Sequence, residues 1–176
     1  NANIHESTTG EEILSDFKDL GLDYWVSGYG TGGTFSGVAR VLKKSMPNTK
    51  LVMAEPDVAP LVANGTDQKR TDDGAPAVSH PDWNPHPIQG WITDFIPLVL
   101  QEAIDNKFID EIIPVSGAEG IKWSQKLAAH EGILTGISGE VGAALAPRDR
   151  RTHVQGTGAV LAARLASGRQ QCRPRR

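Results

Sequence analysis

The residues best suited to chemistry in this chain lie together in Val26-Ser27-Gly28-Tyr29-Gly30-Thr31-Gly32-Gly33-Thr34. A short apolar run, Tyr24 to Val26, precedes the glycines, and Phe35, Val38, Val41 and Leu42 follow at helical spacing. A glycine-rich turn between a strand and a helix exposes several backbone N–H groups at the positive end of the helix dipole, an arrangement that holds a phosphate. Glycine lets the backbone approach the anion without a Cβ in the way. Thr31 and Thr34 add hydroxyl donors. The open question at this point is whose phosphate.

One answer is a dinucleotide's. Gly28, Gly30 and Gly33 satisfy the G-x-G-x-x-G spacing, and Glu55 follows at the end of the next apolar run, where an acid grips a ribose hydroxyl. That reading predicts an NAD-dependent oxidoreductase. Two features oppose it. Gly32 and Thr34, added to the fingerprint, make a compact cup for a single phosphate group, and Pro56 breaks the strand directly after Glu55.

The elements that must position the turn follow from periodicity. Thr9 and Glu12 match a capping box, and Ile13, Leu14, Phe17 and Leu20 form the apolar stripe of a helix that Gly21 ends. A strand at Tyr24–Ser27, a helix reaching about Lys44, a break at Met46-Pro47-Asn48 and a second strand at Lys50–Glu55 make a βαβ unit, and hence a parallel sheet. Residues 56–90 are rich in Pro, Gly and Asp and show no period, which marks a functional or mobile segment. Ile96–Asn106 reads as a helix and Glu111–Val115 as a strand. Ser116, with Glu119, caps a further helix that Gly132 stops. Ile133–Thr135 reads as a short strand, and Gly136–Gly139 as a second glycine turn.

Composition sets the outer limits. The 176 residues are 39% hydrophobic, enough for one α/β domain with a core. No apolar run approaches the roughly 20 residues that span a bilayer, so no membrane partner is expected. The one cysteine, Cys172, excludes a disulfide framework and suggests a reducing cytoplasm. His5, His80, His86, His130 and His153 show no metal-ligand spacing. Residues 1–146 hold ten Lys and Arg against twenty Asp and Glu, whereas residues 147–176 hold eight Arg against one acid. The basic tail lacks aromatic residues to stack on bases, so no nucleic acid is expected. Its Arg, Ala, Gly and Gln bias reads as an unstructured or out-of-frame segment, and the domain is placed at 1–146.

Four blocks occur in one order along the chain: Asn1-Ala-Asn-Ile-His-Glu-Ser-Thr-Thr-Gly10, Gly28–Thr34, His86-Pro-Ile-Gln-Gly90 leading to Phe95-Ile-Pro97, and Glu131–Gly139. Together they resemble the cysteine synthase (O-acetylserine sulfhydrylase) family over about residues 1–140. The resemblance implies a fold type II enzyme that uses pyridoxal 5'-phosphate, with the cofactor phosphate on Gly30, Thr31, Gly32, Gly33 and Thr34. It places Gln89 and Gly90 near the substrate. It implies β-replacement, in which sulfide takes the place of the acetate of O-acetylserine and yields L-cysteine. It also implies a homodimer and, as partner, the C-terminal tail of serine acetyltransferase.

The chain departs from the family at several points. The family's cofactor-bearing lysine and its carboxylate-binding loop precede the asparagine-rich block, so no catalytic residue is expected within these residues, and the chain alone is expected to be inactive. Beyond Gly139 the family pattern gives way to Pro147-Arg148-Asp149-Arg150-Arg151. Trp91-Ile92-Thr93-Asp94 replaces a glycine-rich segment. A tryptophan there narrows the site mouth or shifts the substrate choice toward that of cystathionine β-synthase.

Overall fold

A computed structural model describes residues 1–132, 134 and 136–138, together with the backbone of 152–154 and 160–163. Its centre is the predicted βαβ unit. Strand β1 (Tyr24–Gly28) leads through the glycine turn into helix α3 (Gly33–Ser45) and returns in strand β2 (Lys50–Pro56). The two strands pair in parallel, with Val26 opposite Val52 and Gly28 opposite Ala54. Strand β3 (Glu111–Val115) continues the parallel sheet on the far side of β2.

Helix α3 is buried along most of its length because it carries apolar or small residues on nearly every side. Phe35, Val38, Ala39 and Leu42 are at most 1% exposed. Each large side chain so buried contributes about 1.5–3 kcal/mol. Helices α1 (Ala2–Ser7), α2 (Thr9–Phe17) and α4 (Leu98–Asp105) pack on α3. Glycine permits two of these crossings. A Cβ on Gly37 would lie 2.3 Å from the Ala2 carbonyl oxygen, and one on Gly10 would lie 2.7 Å from a Val41 methyl. Arg40 ties three helices by their side chains. It meets both carboxylate oxygens of Glu102 at 2.9 and 2.6 Å, Glu6 at 2.8 Å and Asn3 at 3.0 Å.

The structure departs from the sequence reading in three places. The helix opening at Thr9 has no capping box. The Thr8 hydroxyl donates to the Ile4 carbonyl at 2.6 Å and the Thr9 hydroxyl pairs with His5, because α1 ends immediately before it. The Ser116 cap, by contrast, is present: its hydroxyl accepts from the Glu119 N–H at 3.2 Å and starts helix α5 (Gly117–Glu131), which Gly132 ends at φ +69°. Second, the sheet is not parallel throughout. Short strands β4 (Thr152–Val154) and β5 (Val160–Ala163) lie in the Arg-rich segment that was expected to lack regular structure. Strand β5 runs antiparallel to β1 and β4 antiparallel to β5, giving the order β3-β2-β1-β5-β4. Third, residues 57–97 contain no helix or named strand but are held by buried polar side chains. Gln68 accepts from the Ile96 N–H and donates to the Val78 carbonyl. His80 accepts from the Asp82 N–H and meets the Thr66 carbonyl. The strand expected at Ile133–Thr135 and the end of the turn at Gly139 fall largely outside the described residues; Leu134, which is described, is in no strand.

Candidate functional site

Strand β1 ends at Gly28, where its backbone reaches the edge of the sheet, and α3 begins five residues later. Between them the chain bends around a cavity of about 240 Å³ lined by Gly28 to Phe35, with Gly90 and Trp91 closing the opposite side. The bend depends on Gly32, the N-cap of α3, whose φ is +82° and which has no side-chain cap. Only glycine takes that conformation without strain. The cap carbonyl accepts the first helical bond, from the Ser36 N–H at 2.9 Å. The N–H groups of Thr31, Gly32, Gly33, Thr34 and Phe35 have no hydrogen-bond partner among the described residues. Five amides are thus left at the positive end of a 13-residue helix, beside a cavity.

Close approach around the turn explains its other glycines. A Cβ on Gly30 would lie 2.9 Å from the Gly90 carbonyl oxygen, and one on Gly33 would lie 2.5 Å from the Asn1 amide carbon. A Cβ on Gly28 would run into the Trp91 indole at 2.2 Å. The two threonine hydroxyls are already engaged on one side. The Asn1 amide donates to Thr31 Oγ1 at 3.0 Å, and Thr34 Oγ1 lies 3.2 Å from His5 Nε2. As an acceptor from Asn1, the Thr31 hydroxyl keeps its own proton for the cavity.

Tyr29, inside the turn, anchors it from below. Its side chain is 2% exposed, and its hydroxyl donates to Glu55 Oε1 at 2.6 Å. Glu55 also accepts from the N–H groups of Val62 at 2.9 Å and Ala63 at 3.1 Å. Burial raises the Glu55 carboxyl above the usual carboxylate range, and the bonds from Tyr29 and the two amides partly offset this. Burial, followed by the nearby Glu55 charge, pushes the Tyr29 phenol far above its ordinary value. The Tyr29 carbonyl in turn accepts from Ile92 N–H at 2.6 Å. Ile92 has φ +46°, a conformation strained by about 1–3 kcal/mol for a non-glycine residue. That strain sits where the chain turns to bring Gly90 and Trp91 against the glycine loop.

These positions correct the dinucleotide reading. Glu55 is 1% exposed and its carboxylate is committed to Tyr29 and the following loop, so it cannot reach a ribose. They also revise the role of Trp91. At 5% exposure it is a wall of the cavity packed on Gly28, not a residue at an open mouth. Gly30 to Thr34 line the cavity, as does Gly90. Gln89 is exposed beside it and is not among the lining residues. Asn1, His5 and Tyr29 were not singled out from the sequence. Asn1 and His5 do fall in the asparagine-rich block, but their contacts with the turn come from helix packing 30 residues away.

The arrangement suits a phosphate. It offers amides without a partner among the described residues, the Thr31 hydroxyl with its proton uncommitted, a helix dipole, and no side-chain charge among the lining residues. A bare dianion without such donors would be too costly to bury. Among the described residues, no cluster of His, Cys, Asp or Glu could hold a metal ion, and no helix is long and apolar enough to cross a membrane.

Comparison with known proteins gives the class. Residues 1–163 match the family described as pyridoxal-phosphate dependent enzymes, and the chain belongs to that family. The match passes residue 140, where the sequence blocks stop. Among individual relatives, a cysteine synthase of Staphylococcus aureus (strain Mu50) is 35% identical over 167 residues, covering 95% of this chain and 47% of the relative. The O-ureido-L-serine synthase of Streptomyces lavendulae is 36% identical over 138 residues, covering 78% of this chain and 36% of the relative. A crystal structure of O-ureido-L-serine synthase superposes with a TM-score of 0.65 at 33% identity, over 84% of this chain and 42% of that one. The chain therefore spans about half the length of the cysteine synthase it matches, or less for the other relatives.

Proposed function

We propose that this chain carries the phosphate cradle of a cysteine synthase, in which Gly30, Thr31, Gly32, Gly33 and Thr34 hold the phosphate of pyridoxal 5'-phosphate. The observation that carries the reading is the row of unpartnered amides from Thr31 to Phe35 at the start of α3. The reaction is β-replacement: the bond between Cβ and the acetate oxygen of O-acetylserine breaks, sulfide forms the new C–S bond, and acetate leaves. When bound, the cofactor supplies a ring that delocalises the carbanion charge formed at the amino acid's α-carbon. The chain's own residues fix its position. The amides of the turn and the Thr31 hydroxyl bind the phosphate, Tyr29 and Glu55 keep the turn in register with β2, and Trp91 excludes water from one side of the cavity. Gln89 and Gly90 border the place where substrate enters. No lysine lines the cavity among the described residues, and on this reading the lysine that carries the cofactor belongs to the part of the relatives not spanned here. A homodimer, a serine acetyltransferase tail as partner and a cytoplasmic setting complete the proposal.

A second choice of nucleophile deserves the same assay. The wall formed by Trp91 and the 36% identity to an O-ureido-L-serine synthase favour testing other nucleophiles in the same replacement chemistry, including that of a cystathionine β-synthase.

Calorimetry separates the cofactors. Pyridoxal 5'-phosphate is expected to bind the 176-residue chain, and NAD at millimolar concentration is not. Borohydride reduction after incubation with pyridoxal 5'-phosphate is expected to leave no single stoichiometric lysine adduct. One such adduct, with turnover of O-acetylserine, would overturn the placement of the lysine. NAD binding with no response to pyridoxal 5'-phosphate would overturn the reading itself.

A further inference from the structure

We infer that His5 is a positioning residue for the cradle: through Thr34 it decides whether that hydroxyl's proton is available to the bound anion. The inference rests on the phosphate cradle proposed above. His5 Nε2 lies 3.2 Å from Thr34 Oγ1, and His5 Nδ1 lies 3.1 Å from Thr9 Oγ1, so the imidazole bridges α2 to the first turn of α3. The ring is seated by close packing of α1 on α3, where a Cβ on Gly37 would lie 2.8 Å from the His5 Cβ.

The hydrogen-bond inventory gives the mechanism. A neutral imidazole has one donor and one acceptor nitrogen, whereas an imidazolium has two donors. Where Nε2 of the neutral ring accepts, the single proton of the Thr34 hydroxyl points away from the cavity. When the ring is charged, both nitrogens donate. Thr34 Oγ1 must then accept from Nε2, and its own proton is free to turn toward the anion. The same protonation places a positive charge one side chain behind the cradle. No covalent bond changes; one proton is bound from solvent and one hydroxyl rotates. An imidazole makes this change between pH 5 and 8.

The other charged groups on the packed elements do not substitute for it. On α1, Glu6 is paired with Arg40 of α3 at 2.8 Å. On α3, Lys43 is paired with Asp110 at 2.7 Å, and Lys44 lies in the last turn, at the far end from the cradle. On α2, Glu11 and Glu12 are exposed acids of the first turn, and Asp16 lies in the last. The Asn1 amine, at the start of α1, is unchanged in every variant compared below.

Sulfate is the suitable probe, because it remains a dianion across this range while phosphate does not. Its affinity for the 176-residue chain is measured by amide NMR at pH 7.5 and pH 5.5 at constant ionic strength, with pyridoxal 5'-phosphate as competitor. The wild-type chain is expected to bind sulfate about tenfold more tightly at the lower pH, the scale of a unit charge acting on a dianion across one side chain in a hydrated site. H5Q, which keeps the turn and its amides, is expected to bind with less than about a twofold change between the two pH values, whereas T34V, which loses the hydroxyl but keeps the His5 charge, is expected to show a change between those of H5Q and the wild-type chain. Sulfate is also expected to move the titration of the His5 ring protons to higher pH in the wild-type chain, as reciprocity demands. Equal pH dependence in all three chains, with binding still at residues 30–34, would overturn the role of His5 and leave the cradle standing. No perturbation of those amides by sulfate or pyridoxal 5'-phosphate in any chain would overturn the cradle, and this inference with it.

Discussion

Gly32→Ala tests the reasoning about the turn most sharply, because two separate costs meet at that residue. Its φ of +82° is left-handed, which costs an alanine about 1–2 kcal/mol. The added Cβ would also lie 2.7 Å from Leu100 Cβ and 2.9 Å from both the Leu100 Cα and N. Two of those atoms are backbone, so α4 must move rather than a flexible side chain, and overpacking of this kind costs about 1–3 kcal/mol. The sum is about 2–5 kcal/mol. Gly21 supplies the control. Its φ is +75°, yet nothing lies within 4 Å of its would-be Cβ, so Gly21→Ala should show the conformational cost alone. Urea unfolding of the two variants beside the wild-type chain measures the difference directly. At this chain length each kcal/mol lowers Tm by about 2–4 °C, so heat denaturation should rank them the same way. A Gly32→Ala variant no less stable than Gly21→Ala would refute the claim that α4 closes on the turn.

Three further outcomes follow from the buried pair and the cradle. Tyr29→Phe leaves the Glu55 carboxyl without its hydroxyl donor and should cost about 1–3 kcal/mol in urea unfolding; a loss below about 0.5 kcal/mol would mean the 2.6 Å bond contributes little. Burial raises the folded-state value of Glu55, so its contribution to stability is fully present below the ordinary carboxylate range and is lost as pH rises through the folded value. Glu55→Gln should therefore lose its disadvantage relative to wild type progressively as pH is raised from 4 to 8, and parallel pH–stability curves would contradict that sign. In the wild-type chain the raised Tyr29 phenol adds a loss of stability above about pH 10, where the unfolded phenol ionises and the folded one does not, and Tyr29→Phe should remove it.

What the sequence revealed and what it concealed divide along sequence separation. The glycine turn and the βαβ unit around it were legible because strand, turn and helix lie within 33 residues and each carries its own periodicity. Ser116 and Glu119 were legible for the same reason, as a cap within one turn. The fate of Glu55 was not. At the end of an apolar strand it has the position of a ribose acid, and only the fold shows the Tyr29 ring reaching it from 26 residues away. Thr9 and Glu12 matched a capping pattern, but a preceding helix claimed both threonine hydroxyls. Gly90 and Trp91 close the cavity from 60 residues downstream, after a segment with no period to follow. Strand β5, four residues long, pairs with β1 across more than 120 residues, and β4, three residues long, joins the sheet only through β5, beyond the reach of a local pattern.

The central claim is that the amides of Thr31–Phe35 receive the phosphate of pyridoxal 5'-phosphate. Amide NMR of the 176-residue chain, titrated in parallel with pyridoxal 5'-phosphate, pyridoxal and NAD, tests it directly. The account predicts saturable shifts centred on residues 30–35 with pyridoxal 5'-phosphate, and none there with pyridoxal, which lacks the phosphate. Shifts of equal size with pyridoxal, or a response at these amides to NAD alone, would contradict it.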